Sequence, residues 1–185
     1  DAINALPLKT TENIQNPSPT HQSRESASIS NNMIALIHFG RSGTGLLHSL
    51  IDNHPEISTL PSIYFSEYYN ADVWGKLVAQ GWDQLPENFI KQFAVLFDAR
   101  SSVPVPSIDK PIANLGQQEG MVNVGANKDE VLTVDQSNFC AELQKLMRGY
   151  ATLTPQSFFT LVHSAYEKAL NKSSKKQSVF YHIHN

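Results

Sequence analysis

Gly40-Arg41-Ser42-Gly43-Thr44-Gly45 is the segment whose residue types and spacing are best suited to chemistry. It follows an apolar run, Met33 to Ile37, and His38-Phe39. Apolar residues at Leu46, Leu47, Leu50 and Ile51 come directly after it. An apolar run, a glycine turn and a helical pattern predict strand, loop and helix. That order gathers backbone N–H groups and a positive helix end around a phosphate. Arg41 adds a fixed cationic fork. Ser42 and Thr44 offer hydroxyl donors, and the amides of Gly43 to Leu46 offer N–H donors. His182 and His184 stand two apart on one strand face, and a pair of partly exposed strand histidines is one reading of them. A two-His metal pair is the other reading of them, but no third ligand is identifiable, so no metal site is expected. Tyr64, Glu67, Tyr68 and Tyr69 form an aromatic group that suits either an acceptor pocket or a packed core.

The glycine loop is close to a nucleotide-hydrolase P-loop but lacks its working parts. That pattern reads G-x-x-x-x-G-K-[ST]. With Gly45 as the second glycine, Leu46 and Leu47 stand where Lys and Ser/Thr are needed; with Gly43, Thr44 and Gly45 do. Neither frame supplies a Lys for the β/γ-phosphates and a hydroxyl for Mg²⁺, and metal-assisted phosphoryl transfer uses both. The loop is therefore built to hold an anion without holding magnesium.

Arg41-Ser42-Gly43-Thr44-Gly45, continued by Leu46-Leu47-His48-Ser49-Leu50 and by Asp52-Asn53-His54-Pro55-Glu56-Ile57, resembles the sulfotransferase family. That family reads a strand, a basic residue followed by S-G-T-x, then a helix whose exit is often L-x-x-H-P-x-I. The resemblance runs from Met33 to Pro61. It implies a P-loop-like α/β fold whose loop, Gly40 to Leu46, binds the 5′-phosphosulfate of 3′-phosphoadenosine 5′-phosphosulfate (PAPS). It further implies that Arg41 contacts the sulfate-bridging oxygen. Tyr181 to Asn185 looks like the family's K-T-H-L-P segment, without its Lys and Pro, and His184 falls on the base. The resemblance also implies that the 3′-phosphate is held by an Arg and a Ser on a later segment. The expected partners are thus the nucleotide cosubstrate and an acceptor of unassigned class. A magnesium-dependent nucleotide kinase or NTPase of the same fold, and a non-catalytic helical interaction module with an anion-binding loop, are the alternative readings.

Size and composition bound these readings. A chain of 185 residues can bury a real core in one domain. A net charge of −3 gives no general nucleic-acid surface. Cys140 is the only cysteine, which excludes a disulfide framework and argues against a cysteine-based zinc site. It fits a reducing compartment, so a cytoplasmic location is expected. No apolar run approaches a membrane span, and Asp1 to Lys9 lacks a signal-peptide pattern. The chain starts at Asp1 and stops inside a predicted strand, and the expectation is a piece of something longer.

The elements that must position these residues follow from periodicity and caps. Residues 1–32 are polar and read as a linker or disordered arm, with room for a short helix at Asp1 to Leu6. Met33 to His38 is a strand. Thr44 to Asn53 is a helix capped by Ser42 and closed by His54-Pro55. Glu56 to Leu60 is a short strand, and Pro61 to Asn70 is a loop or short helix. Val73 to Gln80 and Pro86 to Asp98 are helices, the second with Phe89, Ile90, Phe93, Leu96 and Phe97 at helical spacing. Ser101 to Asp135 is an irregular excursion with short strands at Met121 to Val124 and Val131 to Val134. Ser137 to Tyr150 is a helix, and another runs from Pro155 to about Leu170, capped by Thr154. Lys172, Lys175 and Lys176 make a solvated basic turn before a last strand, Ser178 to His184. The expected class is α/β: an incomplete P-loop NTPase-like parallel sheet with flanking helices and a large helical insertion. Residues 33–185 form the amino-terminal part of that sulfotransferase-like domain.

Overall fold

The computed structural model describes residues 32–39, 42–101, 122–172 and 175–184, without the side chains of residues 62–64, 66, 67 and 184. Gly40, Arg41, the arm expected before Asn32, its short helix, and the excursion between 102 and 121 lie outside the described residues.

The fold is α/β, with a small parallel sheet flanked by helices. Strand β1 is Asn32–His38, β2 is Ile57–Tyr64 and β3 is Ser178–His184, and β3 lies between the other two. Both pairings are parallel. Leu36 stands opposite His182 and His38 opposite His184, so the carboxyl ends of β1 and β3 finish level. β2 runs past the expected stop at Leu60, straight through Pro61. Its register against β3 shifts between Thr59 and Tyr64, and among the described residues β2 is an edge strand. An edge tolerates the missing N–H of a proline.

Side chains alternate across the sheet and assign its faces. Helix α1, Thr44–Ile51, covers one face, where Asp52 beyond its end accepts the Thr59 hydroxyl at 2.7 Å. Helix α5, Pro155–Ala169, covers the other, where His163 meets Ser58. α5 starts where the sequence predicts. Thr154 and Ser157 form a reciprocal capping box, with Pro155 in the first turn.

The main core lies beyond the α5 face. Helices α2 (Ala71–Val78), α3 (Leu85–Gln92) and α4 (Gln136–Met147) pack there with α5. Phe89, Phe97, Phe139 and Phe158 are fully buried in ring-to-ring contact. Each contributes about 1.5–3 kcal/mol of burial. The single helix expected over Pro86 to Asp98 divides at Phe93, where ψ turns to 45°, and continues as a 3₁₀ turn, Ala94–Leu96. All five of its expected inward residues are buried. In place of two short strands near residues 121–134 stand isolated bridges, Val124 to Glu130 and Asp98 to Thr133.

The α1 side is covered more thinly. The expected apolar face of α1 does not turn inward: Leu46 and Leu50 stay 68% and 74% exposed, while His48 is buried. Ile34, Ile37 and Phe39 of β1 and the residue after it are exposed too. Among the described residues, no strand pairs with the outer edge of β1.

Candidate functional site

β1 delivers the chain to the carboxyl end of the sheet, and the turn into α1 follows. The expected Ser42 cap is not formed: the Ser42 hydroxyl turns back and donates to the Phe39 carbonyl at 2.7 Å. Gly43 is the capping residue, at φ 76° and ψ 11°, with no side chain closing the helix start. That left-handed conformation is where a glycine is required. The first helical bond runs from Leu47 N–H to the Gly43 carbonyl at 3.2 Å. The helix therefore offers no acceptor to the N–H groups of Thr44, Gly45 and Leu46. Among the described residues, a Cβ on Gly43 or Gly45 would meet nothing within 4 Å, which leaves free space beside this turn. An uncapped helix start with free space beside it can bind an anion.

Beneath this turn lies a cluster that the sequence reading did not assemble. His38, His48 and His182 are all buried. His38 Nδ1 is 3.3 Å from the Thr44 hydroxyl. The His38 and His182 rings meet edge-on with centroids 5.3 Å apart. His48 Nδ1 and His182 Nε2 share a hydrogen bond of 2.8 Å. A contact chain thus runs from the loop through Thr44 and His38 to His182 and His48. Burial lowers the pKa of His48 against the opposing field of Asp52. Burial, then His48 and His38, push His182 down to about 4. The neutral pair needs one donor and one acceptor. Donation from His182 Nε2 to His48 Nδ1 leaves His182 Nδ1, which has no partner among the described residues, as a bare lone pair instead of an orphan N–H. The signal in the sequence was the spacing: His48 falls one helical turn after Thr44, and His38 and His182 sit at strand ends.

Of the other expected site residues, Gly40, Arg41 and the His184 side chain lie outside the described residues. The His184 backbone pairs beside His38, at the same end of the sheet as the loop. Tyr68 is core, not pocket: it is fully buried and its hydroxyl donates to the Pro155 carbonyl at 2.7 Å. Tyr69 packs against Phe159 and Tyr181. The side chains of Tyr64 and Glu67 lie outside the described residues. A groove of about 320 Å³ between α3 and α4, lined by Glu87, Ile90, Lys91 and Cys140 among others, takes in no residue of the loop. Among the described residues, no group of three or more His, Cys, Asp or Glu side chains is arranged to hold a metal ion.

A second polar group, on the α5 face, has the residue types of a hydrolase triad but not the geometry. Ser58 donates to Glu167 Oε1 at 3.1 Å and lies 3.0 Å from His163 Nδ1. Its one proton is spent on the carboxylate, so His163 is the donor to Ser58 and cannot be its base. All are buried. Burial pushes His163 down to about 3. It raises Glu167 as well, against Lys176, Lys172 and the Ser58 bond. Lys176 is the correction to the solvated basic turn: it is 8% exposed, donates to the carbonyls of His54 (2.6 Å) and Ile57 (3.1 Å), and stands 3.9 Å from Glu167. The group fastens α5 to β2.

Comparisons with models of known protein families, with curated proteins and with solved structures find no match. The site is an uncapped helix start at the carboxyl end of a parallel sheet, backed by the buried His38, His48 and His182. Among the described residues, no helix is long and apolar enough to cross a membrane.

Proposed function

We propose that this chain is part of a sulfotransferase domain with a P-loop-like fold that transfers a sulfuryl group from PAPS to a hydroxyl or amine acceptor. One observation carries the reading. The turn at Gly43 leaves the N–H groups of Thr44, Gly45 and Leu46 without helical acceptors at the carboxyl end of the sheet. In open α/β sheets that is where ligands sit. The Arg41-Ser42-Gly43-Thr44 resemblance supplies the identity of the anion, a 5′-phosphosulfate.

In this reading the acceptor oxygen or nitrogen attacks sulfur in line. The bond from sulfur to the bridging oxygen breaks, and 3′-phosphoadenosine 5′-phosphate departs. Arg41 and the loop amides stabilise the negative charge that gathers on the bridging and phosphate oxygens. His184 takes the acceptor's proton, and its backbone position beside His38 brings it to the right end of the sheet. The acceptor's class stays open.

Calorimetric titration of the 185-residue chain with PAPS, and separately with ATP and Mg²⁺, tests the proposal. PAPS binding that is independent of Mg²⁺ and lost in Arg41→Ala supports it. Preferred binding of Mg²⁺–ATP moves the chain to the kinase or NTPase reading. Binding of neither favours the interaction module.

A further inference from the structure

We propose that the buried His38–His48–His182 cluster couples anion binding at the start of α1 to uptake of a proton, so that acidification tightens binding. This rests on the anion reading of the loop. The cluster is joined to that loop: Thr44, whose N–H belongs to the uncapped turn, touches His38 through its hydroxyl. His38 packs edge-on against His182, which is hydrogen-bonded to His48.

Among the described residues, few charged groups stand near the cluster, and the backbone of the titratable His184 pairs beside His38. On α1 and its exit, Asp52 is the group that acts on His48. On β3, Phe180 packs against both His48 and His182. On β1 the neighbour is His38, and β2 carries no charged residue. His48 and His182 are thus buried imidazoles held below the ordinary value, and a proton added there meets desolvation and repulsion within the cluster. A phosphosulfate at the helix start supplies a further counter-charge. In this medium the attraction is less screened than in water. By linkage, what favours the proton when the anion is bound favours the anion when the proton is bound. The hydrogen bond between His48 and His182 gives the proton a place to stay. Protonating His182 at Nδ1, its partnerless nitrogen among the described residues, leaves that bond intact.

The test uses adenosine 5′-phosphosulfate, whose phosphosulfate keeps its charge throughout the range in which imidazole titrates. Imidazole Cε1–H resonances of the full chain are followed against pH, free and saturated, and assigned with His48→Gln and His182→Gln. At least one of the three resonances is expected to titrate at higher pH in the complex. Calorimetry in buffers of differing ionisation enthalpy is expected to show proton uptake. Affinity is expected to rise as pH falls, by no more than about tenfold per pH unit for one linked proton. In the His48→Gln/His182→Gln double variant, that slope is expected to shrink. Binding with unmoved histidine titrations and no proton uptake overturns the coupling and leaves the anion loop standing. No binding at any pH overturns the loop reading, and the coupling with it.

Discussion

Lys176 stands 3.9 Å from Glu167, and the two fasten the turn before β3 to the last helix. The ammonium also donates to the carbonyls of His54 and Ile57, so one side chain ties together the turn before β2, its first residue and α5. Replacing Lys176 by Met removes the donor and leaves a buried carboxylate behind. The expected loss is about 3 kcal/mol or more in urea unfolding. Adding Glu167→Gln should restore part of it. If the double variant is no more stable than Lys176→Met alone, the pair is not coupled.

Buried neutral histidines give the fold an acid limit. His163 is held to about 3 and His182 to about 4, both below the ordinary imidazole value. A depressed value means that the unfolded chain binds the proton first. Stability is therefore full above the unfolded value, about 6.5. It falls as pH drops from there towards 4 and 3. Each such histidine contributes at most about 1.4 kcal/mol per pH unit in that window. Glu167, raised by burial, works the other way and favours the fold when protonated. Urea midpoints measured from neutral pH downward should fall less steeply in His163→Gln than in the parent chain. Parallel curves would show that His163 is not neutral in the fold.

Gly43 and Gly45 should separate folding from binding. Gly43 sits at φ 76°, so Gly43→Ala should cost about 1–2 kcal/mol through backbone alone, since its Cβ has open space. Gly45 is in an ordinary helical conformation with the same free space. Gly45→Ala should leave stability unchanged or raise it by up to about 1 kcal/mol. The same methyl group would stand where an anion approaches the amides, so PAPS binding should weaken. Unchanged affinity in Gly45→Ala would place the anion elsewhere.

The capping box of α5 is a local test of the fold. Thr154→Ala removes the acceptor for the Ser157 N–H, a bond of 3.1 Å, and the expected cost is about 1 kcal/mol in thermal unfolding. No measurable change would mean that the first turn of α5 is held by packing instead.

What the sequence made legible was local. Glycine between an apolar run and a helical pattern marked the turn at Gly43, and Thr154-Pro155 marked the start of α5. Apolar strand patterns separated by a helical stretch pointed to a parallel sheet. The misreadings came from tertiary choices. The leucines of α1 fit an inward stripe, yet the sheet takes His48, because Phe180 and His182 form the surface on which the helix sits. Lys176 looked solvated because its carbonyl partners lie far away in sequence. His163 and Glu167 are four apart on the apolar face of α5, a polar pair that could have been noticed. Ser58, their partner on β2, could not have been named without the fold.

The order of strands has a consequence for synthesis. β1 and β2 are made early and do not pair with each other; β3, which separates them, begins only at Ser178. Among the described residues, no ladder bond of the sheet can form until β3 leaves the ribosome. Until then β1, with Ile34, Leu36 and Ile37, has no neighbour strand among the described residues and no Asp, Glu, Lys or Arg of its own. Helices α2 to α5 can collapse first, since their contacts lie closer along the chain. The emerging strand then slots between two waiting edges, a closure with a high loop-entropy cost that makes this the slow step of folding. A nascent chain halted before Ser178 should hold a helical core and an unformed sheet, with the glycine turn not yet set.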